Sequence, residues 1–521
     1  MKRYIIHTTG NDTMNVLKIL SFIILINILS IGCHNKSELS NISSNPERTS
    51  HYTSIDGIWK CTPETCLKFP NGTLEAVIKI NNDPNRELTV QGCFLWEGRY
   101  YDEWKLEKIQ FNESTNQLTI VDNSGSTYYG VVDEDNRFIT GIVYSGDPDN
   151  PVPEDKLDFK RAEKNLAARL FYPRLPDLDG SIKYVYQRPG QIEDGLQTAP
   201  IFEFTTDSMA IYNLMAGIIR QKYGRIESLL IMKDHKLVLE EYFYGYDRTK
   251  LHNIHSCTKS VTSLLMGNVL ERQKISDIDQ PLFNFFPQYE SQKTAENGQI
   301  TLKHVLTMTA GFQEEEGPQA HEPKDKLQYI LSLPLESKPG ETFRYSNDCS
   351  NLLGGIIYSL TGKHADVYAE EKLFGPMGIS SYYWQSENGV PHCHSDLHML
   401  PRDMAKIGLL VLNDGKWLTE QIVSKGWIYE STKPHVPESK FFDYGYHWWF
   451  RSKSNEPWWE KPDTRIREEY DKIIAFGYGG QYIMIIRDLK MVVVTTASDY
   501  GNGRRARSKI PMVVDGIVPI F

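Results

Sequence analysis

The sequence predicts an α+β fold, in which an antiparallel sheet with an inserted helical lobe follows a small all-β domain. Short alternating or β-branched runs, separated by clusters of Gly, Asn and Asp, fill residues 51–162. Beyond residue 200, strand-like runs lie at both ends of the segment and helix-like runs lie between them. A chain of 521 residues is too long for one ordinary hydrophobic core, which agrees with two domains.

The composition is that of a folded protein with an acidic surface. Hydrophobic residues make up 40% of the chain, charged residues make up 24%, and the net charge is −10. The sequence contains no long basic run, so it does not favour a nucleic-acid partner. Its Cys and His residues do not have zinc-site spacing, and we interpret His392-Cys393-His394 as a loop. We therefore predict no metal site.

The N-terminus, residues 1–33, has the pattern of a lipoprotein-type signal peptide. Lys18 precedes the apolar run Ile19–Ile31, which suits a signal peptide and is short for a membrane span. The run ends in Leu29-Ser30-Ile31-Gly32-Cys33, which resembles a bacterial lipobox. That resemblance implies export, lipidation of Cys33 and attachment to a membrane of the cell envelope. The alternative is an uncleaved anchor.

The predicted domains follow in order along the chain. Residues 34–50 are a tether, residues 51–162 form a lipocalin-like or sandwich domain, residues 163–200 are a Pro-containing linker, and residues 201–521 form the candidate catalytic domain. Export permits disulfides, and Cys61–Cys66 is one possible pair. In the first domain, four aromatic residues either line a ligand site or pack as core and edge residues: Trp96, Tyr100, Tyr101 and Trp104.

The strongest candidate for a nucleophile is Ser256, three residues before Lys259. Apolar residues recur at helical spacing after it, which predicts an amphipathic helix with both side chains on its first turn. The positive end of the helix dipole favours a neutral Lys259, which can then accept the Ser256 proton. By itself such a pair is more often a solvated helix start than a catalytic site.

Further motifs in the same order raise the odds of catalysis. Tyr345-Ser346-Asn347 precedes a predicted helix, and flanking segments include Thr301–Gly311 and Gly479-Gly480-Gln481. Over about residues 200–521, these features resemble the class C β-lactamase and penicillin-binding-protein-like serine hydrolases. Within that family, the sequence is most similar to the branch of 6-aminohexanoate-dimer hydrolases and esterases.

The resemblance implies a β-lactamase/transpeptidase-like fold and a serine hydrolase that needs no cofactor. Ser256 would be the nucleophile, Lys259 and Tyr345 would move protons, with Tyr345 partly as phenolate, and Asn347 would hold Lys259 and contact the substrate carbonyl side. The backbone N–H groups of Ser256 and Tyr478, next to Gly477, would hold the oxyanion. Three aromatic side chains are candidates for the substrate pocket, although core packing fits Trp448 better: Tyr446, Trp448 and Tyr478.

One position departs from the family pattern. Ala475 stands where the family places a Lys or His that binds substrate carboxylates, which favours an ester or amide substrate. A β-lactamase or DD-carboxypeptidase remains an alternative, with its cation supplied by Arg402 or His394. A cell-surface binding protein that has lost turnover is a second alternative.

Overall fold

The computed structural model describes residues 55–69, 72–81, 88–96, 99–145, 152–163, 166, 169–174, 184–313, 325–437, 442–453, 470–500 and 502–521. The predicted signal peptide, Cys33 and the tether lie outside these residues. The chain divides into two compact units, Met1–Tyr172 and Pro173–Phe521. Within the described residues, no helix combines the length and the apolar character that crossing a membrane requires.

The described part of the first unit contains one antiparallel sheet. Its strands are β1 (Gly57–Cys61), β2 (Leu67–Phe69), β3 (Gly72–Asn81), β4 (Thr89–Trp96), β5 (Arg99–Trp104), β6 (Leu106–Asn112), β7 (Gln117–Asp122), β8 (Thr127–Val132), β9 (Phe138–Ser145), β10 (Val152–Lys156) and β11 (Phe159–Arg161). The main path runs β5-β4-β3-β1-β11-β9-β8-β7-β6, with β2 on β3 and β10 on β9. Most neighbours are consecutive along the chain, so the strands follow a largely up-and-down order.

Trp59 closes the core of this unit. Its side chain is fully buried, its indole N–H donates to the Ile55 carbonyl at 3.1 Å, and the Arg161 guanidinium lies over its ring at 4.5 Å. Arg161 also donates to the backbone carbonyls of Asp56 and Asn136. These bonds use the N–H groups of the guanidinium, and they connect β11 to the chain just before β1.

Two residue sets anticipated from the sequence have defined places in this sheet. Cys61 and Cys66 form a disulfide. Trp104 stacks on Phe94 and donates its indole N–H to Asp122, and Tyr100 packs half-buried against a small apolar cluster. The packing alternative therefore describes Trp104 and Tyr100.

The second unit is built around a nine-stranded sheet. Its described strands are β12 (Gln197–Thr198), β13 (Ile226–Lys233), β14 (Lys236–Tyr242), β15 (His252–Asn253), β16 (Tyr382–Trp384), β17 (Ser386–Glu387), β18 (Val390–Pro391), β19 (Leu397–Met399), β20 (Lys416–Trp417), β21 (Glu420–Gln421), β22 (Val436–Pro437), β23 (Asp443–Tyr444), β24 (Trp449–Arg451), β25 (Lys472–Gly477), β26 (Gln481–Ile486) and β27 (Met491–Ala497). The order is β12-β14-β13-β27-β26-β25-β24-β23-β22, and every pair except β12–β14 is antiparallel. β15, β19 and β16 form a separate small sheet.

Helices lie between the two halves of this sheet in the sequence, as the pattern predicts. The described helices are α1 (Ser208–Ile219), α2 (Cys257–Arg272), α3 (Leu302–Leu306), α4 (Lys326–Ser332), α5 (Asn347–Thr361), α6 (Ala365–Ala369), α7 (Pro401–Leu412), α8 (Lys425–Thr432), α9 (Gly503–Arg507) and α10 (Lys509–Pro511). α5 ends at Gly362, which has a φ of 69° that glycine adopts without strain. The α+β class with an inserted helical lobe is confirmed.

Helices cover both faces of the large sheet. Because alternate residues of a strand point to opposite faces, each central strand contributes side chains to both cores. Ile483 and Ile485 of β26 belong to the core shared with α2 and α7, whereas Met484 and Ile486 belong to the core shared with α1. This two-sided burial explains why β26 and β27 are apolar without alternation. It also fixes α2 against the centre of the sheet.

Part of the predicted linker belongs to the second unit. Gln197 and Thr198 pair in parallel with Lys236 and Leu237, and the Tyr186 hydroxyl donates to the Val238 carbonyl at 2.9 Å. Proline content suggested a connection at residues 163–200, but Gln197 and Thr198 form the edge strand β12 of the large sheet.

Candidate active site

Helix α2 is buried along almost its whole length, which corrects the amphipathic prediction. All residues from Cys257 to Leu270 are buried. The polar side chains on the face expected to be solvated instead bond distant backbone carbonyls: Ser260 donates to His447, Thr262 to Cys393, and Asn268 to Ile422, at 2.6–2.8 Å. These bonds offset the cost of burying hydroxyl and amide groups, and they hold α2 rigidly at the centre of the domain.

Ser256 begins α2 at the end of a tight turn. His255, the residue before it, has a φ of 46°, which is uncommon for a residue other than glycine. The His255 N–H donates to Asn253 Oδ1 at 2.8 Å, and the Asn253 amide donates to Asp396 Oδ1 at 3.0 Å. Strand pairing of β15 with β19 holds both sides of this link. Backbone strain next to Ser256 is therefore stabilised by a polar chain to Asp396.

Lys259 is 1% exposed, and three oxygens surround its Nζ atom. Its Nζ lies 3.1 Å from Ser256 Oγ, 2.7 Å from Asn347 Oδ1 and 2.8 Å from the His394 carbonyl oxygen. The structure thus brings Asn347 to Ser256 and Lys259, although Asn347 follows Lys259 by 88 residues in the sequence. His394 contributes its backbone carbonyl oxygen, a role that the identity of its side chain does not indicate.

Tyr345 lies close to the Ser256 side chain, which acts on the pKa of its phenol. The Lys259 Nζ lies 4.8 Å from the centre of the Tyr345 ring. The ring stacks on Trp449 at 5.5 Å. Burial raises the pKa of Tyr345 above the ordinary phenol value, and the nearby Ser256 hydroxyl offsets this only in part. The phenolate expected from the sequence is therefore disfavoured.

Ser346 explains why Tyr345 and Asn347 are held in place. Its Oγ caps α5 by accepting from the N–H groups of Asp348 and Cys349 at 3.1 and 3.4 Å. The Arg344 N–H donates to the Met308 carbonyl at 2.9 Å, so the segment after α3 supports the chain just before Tyr345. Tyr345 therefore precedes the cap, and Asn347 begins the first turn.

The end of β25 runs alongside the nucleophile turn. A Cβ on Gly477 would collide with the Ile254 carbonyl oxygen, so only glycine allows this approach. Gly479 and Gly480 have φ values of 82° and 101° and form the turn into β26. The Gln481 side-chain amide donates to the carbonyls of Tyr478 and Ala497, which fixes the turn to β27. This arrangement places Tyr478 beside Ser256.

The position of the missing family cation is apolar and closed. Ala475 is fully buried in β25. Arg402, suggested as a substitute, is 3% exposed and bonds Glu240, Asp194 and the Gly190 carbonyl. It is therefore a structural cation, contrary to that suggestion.

His394, the other suggested cation, is buried and uncharged. Burial, and then the nearby Lys259, hold the pKa of its imidazole well below the usual histidine value. Its Nδ1 lies 3.0 Å from Asn351 Oδ1. Neither suggested side chain supplies a free positive charge for a substrate carboxylate.

Two of the three aromatic pocket candidates lie in the core. Tyr446 is 2% exposed and stacks on His435 at 4.1 Å, and Trp448 is fully buried. Core packing, the preferred interpretation for Trp448, also describes Tyr446. Tyr478 is half-buried and contacts His255 and Tyr500, so only this candidate faces the nucleophile turn.

Asp396 is a site residue that the sequence motifs did not identify. Although burial alone would raise its pKa, bonds from His392, Ser395 and Asn253 hold the pKa of the carboxyl far below its usual range. Asp396 thus joins the loop that supplies the His394 carbonyl to the turn that presents Ser256. Its position depends on β15 and β19 pairing across more than 140 residues, and the local sequence gives no sign of it.

Known proteins are similar to this chain over part of its length. The family model described as Beta-lactamase matches residues 220–514. A protein named flp from Staphylococcus aureus (strain COL) is 25% identical over 176 residues, 31% of this chain and 35% of the relative. The chain therefore spans about a third of the length of that relative.

A 6-aminohexanoate-dimer hydrolase from Paenarthrobacter ureafaciens is 21% identical over 304 residues, 52% of this chain and 72% of the relative. A solved structure of a penicillin binding protein from Bacillus halodurans has a TM-score of 0.45 and 16% identity, covering 58% of this chain and 99% of that one. Because the family model matches more than half of the sequence, this chain belongs to the Beta-lactamase family.

Proposed function

We propose that this protein is an exported serine hydrolase that cleaves an ester or amide bond through an acyl-enzyme on Ser256. The observation that supports this best is the position of the Ser256 hydroxyl, which lies 3.1 Å from Lys259 Nζ and close to the Tyr345 phenol. A nucleophile flanked by a base and a proton donor within hydrogen-bond reach is what acyl transfer needs.

In the proposed reaction, Ser256 Oγ attacks the substrate carbonyl while a neutral Lys259 takes its proton. The backbone N–H groups of Ser256 and Tyr478 hold the oxyanion. As the bond to the leaving group breaks, Tyr345 donates its proton to the leaving atom and is reprotonated from Lys259. Water then attacks the acyl carbonyl and gives its proton to Lys259. As the bond to Ser256 Oγ breaks, Lys259 returns that proton to Oγ, and the acid product leaves.

Three observations support an ester or amide substrate over a β-lactam or a peptidoglycan stem. Ala475 supplies no charge, Arg402 is occupied by two carboxylates, and the His394 imidazole is uncharged. A relative is named for hydrolysis of a 6-aminohexanoate dimer, a linear amide, and we extend that substrate type to this chain. We also propose, from the sequence of residues 1–33, a lipid anchor at Cys33 in a bacterial cell envelope.

The test is intact-mass labelling with a fluorophosphonate, comparing wild type with Ser256→Ala and assaying p-nitrophenyl acetate in parallel. We expect one adduct and turnover in wild type, and neither in the variant. An unlabelled, inactive wild type would overturn the proposal and favour a binding protein. Nitrocefin turnover at a rate comparable to that of the ester would favour a β-lactamase.

A further inference from the structure

Three ring side chains form a cluster beside the nucleophile turn: His255, Tyr478 and Tyr500. The centres of their rings are 5.8 Å apart for His255 and Tyr478, 5.5 Å for His255 and Tyr500, and 5.3 Å for the two tyrosines. All three side chains are half-buried. Rings this close pack against one another, so they present a continuous wall rather than a cage.

The backbone fixes this wall next to Ser256. His255 immediately precedes Ser256, and Tyr478 immediately follows Gly477, which lies against the Ile254 carbonyl. Tyr500 lies over the turn after Tyr478, because a Cβ on Gly479 would collide with its ring. Three separate segments, the α2 entry, the β25–β26 turn and the end of β27, therefore converge at one side of the nucleophile.

The wall is apolar but contains one unused hydrogen-bonding group. Among the described residues, the imidazole nitrogens of His255 have no hydrogen-bond partner, although its backbone N–H is bonded to Asn253. Burial lowers the pKa of His255 to about 4, so the ring is neutral at pH 7. The ionic groups near the wall are engaged elsewhere: Asp396 with His392, Asp499 with Lys509, and Lys259 with three oxygens.

The position of Tyr345 decides which part of a substrate meets this wall. The Tyr345 ring packs against Tyr444 and Trp449. Because Tyr345 is the proposed proton donor to the leaving group, the leaving group lies toward that side. The acyl group, on the other side of the carbonyl, then lies toward the oxyanion strand and the three rings.

We propose that His255, Tyr478 and Tyr500 form the acyl subsite of this hydrolase, and that it takes an uncharged acyl group with an apolar chain or ring. The proposal rests on the proposed function, since it assumes acyl transfer at Ser256. Ring faces favour apolar contact, and a neutral imidazole offers a hydrogen bond without a charge. A carboxylate in this position would be desolvated without a cation to pair with it.

The test uses p-nitrophenyl esters that share one leaving group and differ in the acyl group: acetate, butyrate, hexanoate and the anionic succinate monoester. We expect kcat/KM to rise at least about tenfold from acetate to butyrate, since a methylene in an apolar pocket is worth about tenfold or more. We expect the succinate monoester to be at least about tenfold poorer than butyrate, because its carboxylate has no partner.

The variants are His255→Asn and Tyr500→Leu, with Tyr500→Phe as the conservative replacement and Tyr429→Leu as a matched control on the exposed surface of α8. Asn tolerates the positive φ of residue 255. We expect the hexanoate-to-acetate ratio to fall at least about fivefold in the first two variants, mainly through KM, and to stay at the wild-type value in the last two.

The outcomes separate the two proposals. Absence of fluorophosphonate labelling and of ester turnover in wild type would overturn the proposed function. Labelling with turnover but no dependence on acyl length, or an unchanged ratio in both His255→Asn and Tyr500→Leu, would overturn the acyl subsite alone. Should one of these variants fail to fold, the ratio in the other decides.

Discussion

The Nζ atom of Lys259 lies 3.1 Å from the Oγ atom of Ser256, and the two side chains leave the first turn of one buried helix. The same Nζ is held by the Asn347 amide oxygen and by the His394 carbonyl oxygen. These two oxygens come from α5 and from the loop before β19, so three segments fix the direction in which Lys259 faces the nucleophile. Its position is therefore set before any substrate binds.

Removing the amine should abolish activation of Ser256. For Lys259→Ala we expect the second-order rate of fluorophosphonate labelling to fall by about 10²- to 10⁴-fold, the range for loss of a general base. Lys259→Arg should be similarly impaired, because a guanidinium stays protonated and cannot accept the proton. Labelling is measured by intact mass at several times. A Lys259→Arg variant that reacts as fast as wild type would contradict the base role.

Replacing Tyr345 by Phe should affect poor leaving groups more than good ones. Because burial raises the pKa of Tyr345, the phenol is protonated at neutral pH and suits the proposed role of proton donor. Nitrophenolate leaves without a proton, whereas ethoxide does not. We expect kcat for ethyl butyrate to fall by about 10²-fold or more and kcat for p-nitrophenyl butyrate to fall much less. Equal losses on both esters would mean that Tyr345 acts only through position.

Asp396→Asn should lower kcat although Asp396 bonds neither Ser256 nor Lys259. The carboxylate accepts from Asn253, Ser395 and His392, and Asn253 in turn holds the N–H of His255. Loosening this link displaces the nucleophile turn, and we expect kcat to fall by about tenfold to a hundredfold with a smaller change in KM.

Asn253→Ala should reproduce that split between kcat and KM, since it breaks the same link. The matched control is Asp247→Asn, which changes an exposed carboxylate that forms a local turn with Thr249. An Asp396→Asn variant with wild-type kcat would show that the carboxylate has only a structural role.

The residues that the sequence identified share one property: their roles follow from local spacing. Ser256 and Lys259 are neighbours on any helix, and Ser346 as a helix cap requires Tyr345 and Asn347 to flank it. The α+β order also follows from local patterns, because the hairpin of β13 and β14 and the Gly362 end of α5 are encoded within a few residues.

The missed features depend on contacts between distant segments. Helix α2 contains Ser260, Thr262 and Asn268, which suggested a solvated face, yet distant carbonyls bond all three. Likewise, Asp396 and the His394 carbonyl reach the site through the pairing of β15 with β19. Polar residues look the same in sequence whether water or a distant backbone group satisfies them.

Arg402→Gln should cost stability rather than substrate recognition. The guanidinium is buried between Glu240 and Asp194, so its loss leaves two buried carboxylates without a cation. We expect the free energy of unfolding to fall by about 3–5 kcal/mol. The ratio of kcat/KM between p-nitrophenyl butyrate and the succinate monoester should not change.

The exposed Arg248→Gln is the control for the loss of a charge. Calorimetry gives the stability and ester assays give the ratio. Loss of succinate hydrolysis in Arg402→Gln, with butyrate hydrolysis retained, would instead make Arg402 the missing carboxylate receptor.

The buried histidine His447 should make the second unit sensitive to acid. Burial lowers the pKa of His447 to about 3, compared with about 6.5 in an unfolded chain. The unfolded state therefore binds its proton first as the pH falls. The stabilising effect of the neutral ring is fully present above about pH 6.5 and is lost as the pH falls toward 3, at about 1.4 kcal/mol per pH unit.

Replacing His447 by Asn should reduce the slope of the unfolding free energy against pH, because one proton fewer is taken up on unfolding. His447 has a φ of 60°, which Asn tolerates, so the backbone is preserved. His255 and His394 titrate in the same direction, so part of the slope should remain. The control His235→Asn lies at an exposed turn with a φ of 67° and should leave the slope unchanged. Thermal unfolding followed between pH 4 and 7 measures the slope, and equal slopes for His447→Asn and wild type would exclude His447 as a source of acid sensitivity.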